Sequence, residues 1–374
     1  MTPLAEALRR RIAASGPITV AQYMEAALYD PRHGYYRVRK PFGRKGDFVT
    51  APEISQTFGE LLGAWCAATW QQMGAPDMVH LVEIGPGRGT LIADALRASA
   101  RMPGFVAARR VHLVETSPAL RTLQQKRLAG SGAVWHETLD QLPAGPALIL
   151  ANELFDALPV RQLVRRADAW IERRVGLDEA QACFRFVADD RPSASVVLVP
   201  AALADAPDGS LVEVSPDAIE LMDHLAKRLV AQGGGALIVD YGAEHRSVGE
   251  TLQALRAHRR HNVLDAPGEA DLTAHVDFST LARTASEAGA DVYGPVEQGD
   301  LLLTLGLEAR TKALAANATP RQRKVLAAAL ARLTGVEAMG TLFKGLAITF
   351  PGMPAPAGFE AAVETCPVPH RVSG

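Results

Sequence analysis

Apolar positions recur along this chain with two periods, close to 3.6 residues and close to 2. Leu4, Leu8 and Ile12 share one helical face in LAEALRRRIAAS, and ITVAQYMEAALYD starts a second helix after Gly16-Pro17. From Asp30 to Ser55 the period is lost, and the segment is dense in Gly, Pro, aromatic and charged residues. A loop of that length in a compact domain is functional or disordered. Its Tyr35, Tyr36, Phe42 and Phe48 argue against disorder. Thr57 to Met73 is again amphipathic and should pack on a sheet.

Beyond it, strand and helix alternate. VHLVEIG (79 to 85), VHLVET (111 to 116), AVWHE (133 to 137), ALILANE (147 to 153) and ALIVDYG (236 to 242) read as strands. LIADALRAS, SPALRTLQQKRL with Ser117 as cap and Pro118 in its first turn, PDAIELMDHLAKRLVAQGGG and FSTLARTASEAG read as helices. Residues 163 to 200 alternate apolar and polar and predict one or two inserted β-hairpins, and the stretch to about residue 276 is polar and irregular. DLLLTLG (300 to 306) and LFKGLAITF (342 to 350) complete the predicted strands, and the tail from Pro351 reads as extended. The fold class is therefore α/β, with a mostly parallel, doubly wound sheet.

Composition narrows the picture. Hydrophobic residues make up 48% and charged residues 21%, the balance of a globular protein. A net charge of −2 gives no global case for nucleic acid or membrane as partner, and basic runs such as Arg9 to Arg11 read as solvated faces. Cys66, Cys183 and Cys366 lie far apart, which excludes a disulfide framework and a cysteine zinc site. No apolar run approaches the ~20 residues of a membrane span, so no stable membrane insertion is expected. The N-terminus lacks a signal-peptide pattern. Together these point to the cytoplasm of a bacterium, or to the mitochondrial matrix in a eukaryote, where no clear transit peptide is visible.

The candidate chemistry sits where strands stop. VHLVEIGPGRGT, residues 79 to 90, runs a strand into Gly85, Gly87 and Gly89, which permit a tight turn and close approach of a ligand at a helix N-terminus. A dinucleotide fingerprint wants a third glycine where Thr90 stands. Glu83, two residues before the first glycine, suits a cationic sulfonium and amino-acid head better than a pyrophosphate. Both features disfavour a nicotinamide dehydrogenase. Glu115 ends the second strand, placed for ribose hydroxyls, and His136 or Glu137 ends the third, where a side chain could meet adenine. Asn152, Glu153 and Asp156 form an acidic cup after the fourth strand, or else a helix cap with an acidic first turn. Asp240-Tyr241 ends the fifth. His275 and Asp277 read as a structural pair, since no further ligands stand at metal spacing.

GDFVTAPEISQTFGELLGAW (46 to 65), LVEIGPGRGTL, LVETSPALR, NELFDALPVRQ (152 to 162), VDYG, PGEADLTAHVDF (267 to 278) and QGDLLLTLG occur in that order. In these the chain resembles the MidA family of S-adenosylmethionine-dependent methyltransferases, from Ile18 to about Phe350. The resemblance implies a class I, Rossmann-like methyltransferase fold. It implies an N-terminal helical segment (1 to 75) with an active-site loop (30 to 55), and a core (76 to 350) with insertions at about 163 to 200 and 243 to 276. The tail is 351 to 374. It implies cofactor contacts at Glu83, Gly85, Gly87, Glu115 and Asn152, with Gly46, Asp47 and Phe48 over the cofactor and Glu153, Asp156 and Tyr241 bordering the acceptor. Leu154 departs from the aromatic residue many relatives carry. Mitochondrial members assist respiratory complex I assembly by methylating an arginine of a core subunit, so a protein partner of that kind is expected.

Methyl transfer from a sulfonium is an in-line displacement, and a guanidinium acceptor suits paired carboxylates that hold it bidentately. Glu153 and Asp156 are the expected clamp, with Asp47 contributing from the loop and Asp240 or His275 as proton relay. Two other readings stay open: a small-molecule N- or O-methyltransferase, and an assembly chaperone that holds the cofactor as a structural ligand. The acceptor, the degree of methylation and the oligomeric state are not given by the sequence.

Overall fold

The computed structural model describes residues 2–38, 49–178, 180, 183–245 and 247–360. Its centre is an eight-stranded sheet. Seven of the strands are β1 (Val79–Ile84), β2 (Arg109–Val114), β3 (Val134–His136), β4 (Ala147–Asn152), β5 (Gly234–Ala243), β6 (Asp291–Glu297) and β7 (Phe343–Thr349). They lie in the order 3-2-1-4-5-7-6. Only β7 runs antiparallel to its neighbours, β5 and β6. Val276–Asp277 adds a short parallel pairing at the end of β5.

The strands are rich in Val, Ile and Leu because both faces of the sheet are covered. Leu81, Leu148, Leu150, Leu237 and Val239 point to one core, and Val82, Ile149, Ile238 and Ile348 to the other. This is the period-2 alternation of a strand, with each such side chain contributing about 1.5–3 kcal/mol on burial. The helices of seven residues or more are α1 (Pro3–Ser15), α2 (Val20–Tyr29), α3 (Gln56–Gln72), α4 (Thr90–Ser99), α5 (Pro118–Arg127), α6 (Pro216–Gln232) and α7 (Phe278–Glu287). They continue with α8 (Gln298–Thr304), α9 (Leu307–Ala316) and α10 (Pro320–Thr334). Phe58, Leu62 and Trp65 of α3 enter the first core, and Met222, Leu225 and Leu229 of α6 with Phe278 and Leu281 of α7 enter the second.

A third core joins α1 and α2 to the segments inserted between core strands: Leu8, Tyr23 and Leu28 pack with Val160, Val175, Ala254 and Leu272. Two antiparallel sheets carry those insertions. One contains Ile18–Thr19, Arg161–Arg166, Ala169–Leu177, Phe184–Pro192 and Leu211–Val214; the other contains Gln253–Arg256, Arg259–His261 and Asp271–Thr273. The expected hairpins in 163 to 200 are thus present.

Three expectations are corrected. DLLLTLG is not a strand: Gln298, Gly299, Leu301 and Leu302 are buried on one face of α8, and the strand precedes it at Asp291–Glu297. A short apolar run serves either period, and here the neighbouring strand β7 pairs with β6 instead. The polar stretch before residue 276 is not irregular but holds the three-stranded sheet. Last, Pro320–Leu342 is long and apolar enough, by length and composition, to cross a membrane, which the sequence reading did not expect. In the fold it is α10, a turn at Gly335 and the short helix Met339–Leu342, with Ala329, Leu333 and Met339 buried.

Candidate active site

The order of the strands reverses between β1 and β4, which run parallel, and the carboxyl ends of the strands open into a cavity of about 550 Å³. At one end lies the glycine turn. Gly85 and Gly87 line the cavity with φ of +65° and +50°, a left-handed backbone that only glycine adopts without strain. Gly89 does not line it: this residue precedes α4 as its N-cap, with φ +71°.

Glu83 lies at the floor, 3% exposed, with Oε2 accepting from the Ile92 N–H at 3.1 Å. Burial, and the nearby charge of Glu115, push its carboxyl up to about 8. Glu115 also faces the cavity, held by the Ser117 N–H (2.7 Å) and by Gln124 Nε2 (3.1 Å). Asn152 donates through Nδ2 to Glu153 Oε1 at 3.2 Å, while its Oδ1 is buried with no hydrogen-bond partner. The Arg37 Nε is likewise buried and unpaired, its Nη1 donating to the Thr116 carbonyl. Orphan buried polar atoms are costly, and these two face the same cavity.

The other end is acidic and aromatic. Asp156 is 6% and Asp271 3% exposed, and both line the cavity with Tyr29, Tyr36 and Tyr241. Tyr36 donates to Asp271 Oδ1 at 2.8 Å, Tyr29 to the Ala157 carbonyl at 2.9 Å, and Tyr241 to Thr273 Oγ1. Burial, then the charges of Asp240, Asp271 and Glu153, hold the Asp156 carboxyl well above the usual range. Glu153 adopts φ +49°, and its Oε1 accepts from the Ala51 N–H at 2.9 Å. Burial, then the charge of Asp240, raises it to about 7. That bond, with Thr90 donating to Glu53, ties the short helix Ala51–Ile54 over the glycine turn.

Several expectations change. Asp240 is no lining group: its Oδ2 accepts from the N–H groups of Leu154, Phe155 and Asp156 (3.0, 2.8 and 3.3 Å), so it shapes the turn that presents Asp156. His275 packs edge-on against Tyr241, ring centroids 5.3 Å apart, and Asp277 caps α7 by accepting from the Thr280 N–H. Neither lines the cavity. His136 is turned from it into a buried chain: His112 bridges His80 (3.0 Å) and His136 (2.9 Å), and His80 Nε2 donates to the Ala144 carbonyl. Burial, with its histidine neighbours, pushes His112 down to about 4, so the central ring is neutral near pH 7. Glu137 is exposed, 3.8 Å from Arg121. Gly46, Asp47 and Phe48 lie outside the described residues. Asp271, Tyr29, Tyr36 and Arg37 were not foreseen, because nothing local marks them.

Residues 61–296 match the family model described as "Putative S-adenosyl-L-methionine-dependent methyltransferase". The chain is 40% identical to a Drosophila melanogaster protein named protein arginine methyltransferase NDUFAF7 homolog, mitochondrial, covering 94% of this chain and 85% of that one. It is 37% identical to the Homo sapiens protein arginine methyltransferase NDUFAF7, mitochondrial, covering 93% and 83%. A solved structure, a "likely methyl transferase from Burkholderia thailandensis bound to S-adenosyl-homocysteine", superposes with a TM-score of 0.82 at 31% identity, covering 96% of this chain and 94% of that one. With its strand order, its glycine turn and these matches, the chain belongs to the MidA-like family of S-adenosylmethionine-dependent methyltransferases.

Proposed function

We propose that this chain is a protein arginine N-methyltransferase whose cavity takes S-adenosylmethionine at the glycine end and an arginine side chain at the acidic, aromatic end. The observation that carries the reading is one continuous cavity joining the orphan Asn152 Oδ1 and buried Glu83 to the Asp156–Asp271 pair among three tyrosines. The printed names of the relatives, protein arginine methyltransferases, support the acceptor class. A respiratory complex I subunit is the first acceptor to test, on the family resemblance.

The residues fit the cofactor. Asn152 Oδ1 and Glu83 offer acceptors to its ammonium, the two glycines leave room for its backbone approach, Glu115 offers a carboxylate to ribose hydroxyls, and Arg37 Nε offers a donor to one of its oxygens. Bound S-adenosylmethionine supplies a methyl group on a sulfonium, an electrophile that needs a nucleophile aligned behind it. At the far end, Asp156 and Asp271 accept from a planar, permanently charged guanidinium, and the tyrosine rings flank it. Asp156 and Asp271 on its remaining nitrogens localise its charge away from the attacking one, and a carboxylate of this pair takes the N–H proton that the methylated nitrogen gives up. Ala51–Ile54, tied down by Glu153 and Glu53, keeps water from the middle of the cavity.

The test uses S-adenosylmethionine carrying a trideuterated methyl group. The protein and a protein extract from cells lacking it are incubated, hydrolysed to amino acids and analysed by mass spectrometry. Label in methylarginine is the expected result, and label confined to lysine or to small molecules contradicts the reading.

Glu83 adds a pH dependence. In the free protein its raised pKa keeps it protonated below about 8. A cationic ammonium beside it favours the carboxylate, so binding releases a proton. Affinity for S-adenosyl-L-homocysteine should rise between pH 6 and 8, by up to about tenfold per pH unit. Calorimetry in two buffers of different ionisation heat measures the proton released; Glu83→Gln should remove the dependence, and a flat wild-type profile would sink it.

A further inference from the structure

Residues 309 to 336 carry Arg310, Lys312, Arg321, Arg323, Lys324 and Arg332 and no carboxylate, in a chain whose net charge is −2. Arg310 is committed to Glu60 at 2.8 Å, and Arg323 Nε donates to the Ala315 carbonyl. Arg321 and Lys324 are exposed and make no ion pair among the described residues. α10 buries Ala329 and Leu333. The adjoining face, about a quarter-turn round the helix from these, carries Arg321, Val325, Ala328 and Arg332 at i, i+4, i+7 and i+11, all exposed, with Val325 at 60%. The last of these, Arg332, lines the cavity mouth with Leu342.

We propose that this stripe of α10 is the docking track for an acidic segment of the protein acceptor, laid along the helix while its arginine enters the cavity. The proposal rests on the functional reading above and adds where the acceptor is held and what it must carry. Three observations favour an acidic polypeptide. The track runs without a break into the cavity mouth, so a chain lying on it is already aimed at the site. At its outer end Arg321, with Lys324 beside it, makes no ion pair among the described residues, whereas Arg332 at the mouth already faces Glu153 and donates to the Val49 carbonyl. Moreover, Arg321, Arg323 and Lys324 crowd the first turns of α10, where the helix dipole is positive and local stability favours acids. An anion laid over them relieves that conflict. Eleven helical residues separate Arg332 from Arg321, about 16 Å, which an extended chain covers in about five residues. The acidic residues of the acceptor therefore stand about five positions from the methylated arginine.

The test uses the full chain saturated with S-adenosyl-L-homocysteine and two labelled peptides. In each, one arginine is flanked on both sides by three glycines and then by three glutamates, or by three glutamines in the twin. Fluorescence anisotropy at low salt should show the acidic peptide binding about tenfold tighter, a preference that added salt weakens. The double variant Arg321→Glu with Lys324→Glu, two exposed positions outside the cavity, should bind both peptides alike and keep its affinity for S-adenosyl-L-homocysteine. It should also fold, because acids suit that helix end.

Equal binding by the wild type, or a preference that survives the double variant, overturns the proposal. So does sedimentation showing a dimer that the variant dissociates, which makes the track a self-interface. Phosphatidylserine vesicles that bind the wild type and not the variant, with no peptide preference, overturn it in favour of a membrane surface. Because the readout is binding, it separates from the functional reading. Arginine labelling without peptide preference removes only the docking track, and preference without arginine labelling removes only the functional reading.

Discussion

Gly85→Val is expected to weaken binding of S-adenosyl-L-homocysteine at least about a hundredfold, on the order of 2.7 kcal/mol or more. Position 85 has φ +65°, a left-handed conformation that costs an L-residue about 1–2 kcal/mol, and more when the side chain is β-branched. A Cβ there would also stand 2.8 Å from Leu154 Cδ1. That atom ends a flexible side chain, so the fold can give way, but the methyl groups then occupy a turn that lines the cavity. The two costs fall on the same turn, and a ligand reading the backbone at close range loses its seat. Calorimetry measures the loss, and a thermal melt with cooperative unfolding shows that the variant is folded. Binding as tight as in the wild type would mean that the cofactor does not sit on the glycine turn.

Asp156→Asn should reduce methyl transfer by about a hundred- to a thousandfold while leaving S-adenosyl-L-homocysteine binding intact, the loss of about 2.7–4 kcal/mol seen when one electrostatic partner of a transition state is removed. In the free protein, Asp156 sits with Asp240, Asp271 and Glu153 in a buried group of carboxylates, and its ionisation is suppressed. A guanidinium supplies the missing positive charge and draws a proton off the group. An amide keeps the shape of the side chain and removes that response. Since burial and its carboxylate neighbours already hold Asp156 neutral in the free protein, an amide of the same shape replaces a neutral carboxyl, and the melting temperature should not fall. This separates a catalytic loss from a folding defect. It also separates an enzyme from a chaperone that holds the cofactor as a structural part, because such a role should survive the change. Transfer at wild-type rate would remove Asp156 from the acceptor site.

The half of the cavity built by consecutive residues was legible in the sequence. Glu83, Gly85 and Gly87 are one strand end and its turn, Asn152 and Glu153 another, and each carries its chemistry in a local pattern that needs no tertiary information. The acceptor half was not legible as a whole. Asp271 lies 271 − 156 = 115 positions after Asp156 and reaches the site on an inserted sheet that the sequence showed only as polar chain. Tyr36 meets Asp271 across 235 positions, through the third core that joins α1 and α2 to the inserted sheets. No periodicity announces such a pairing. His136 shows the converse: a strand end is a place where ligands meet side chains, yet the parallel strands β1, β2 and β3 lined up three histidines that satisfy one another instead. The misread DLLLTLG run shows why short apolar segments fail, since helix and strand bury them equally well.

The central claim is that one cavity holds a methyl donor at its glycine end and an arginine at its acidic end. The most direct measurement follows trideuterated methyl transfer with the wild type and Asp156→Asn side by side, each first shown to bind S-adenosyl-L-homocysteine. The account predicts that both bind, and that only the wild type puts label into methylarginine at an appreciable rate. Label on another residue or on a small molecule, or equal labelling of arginine by both proteins, would contradict it.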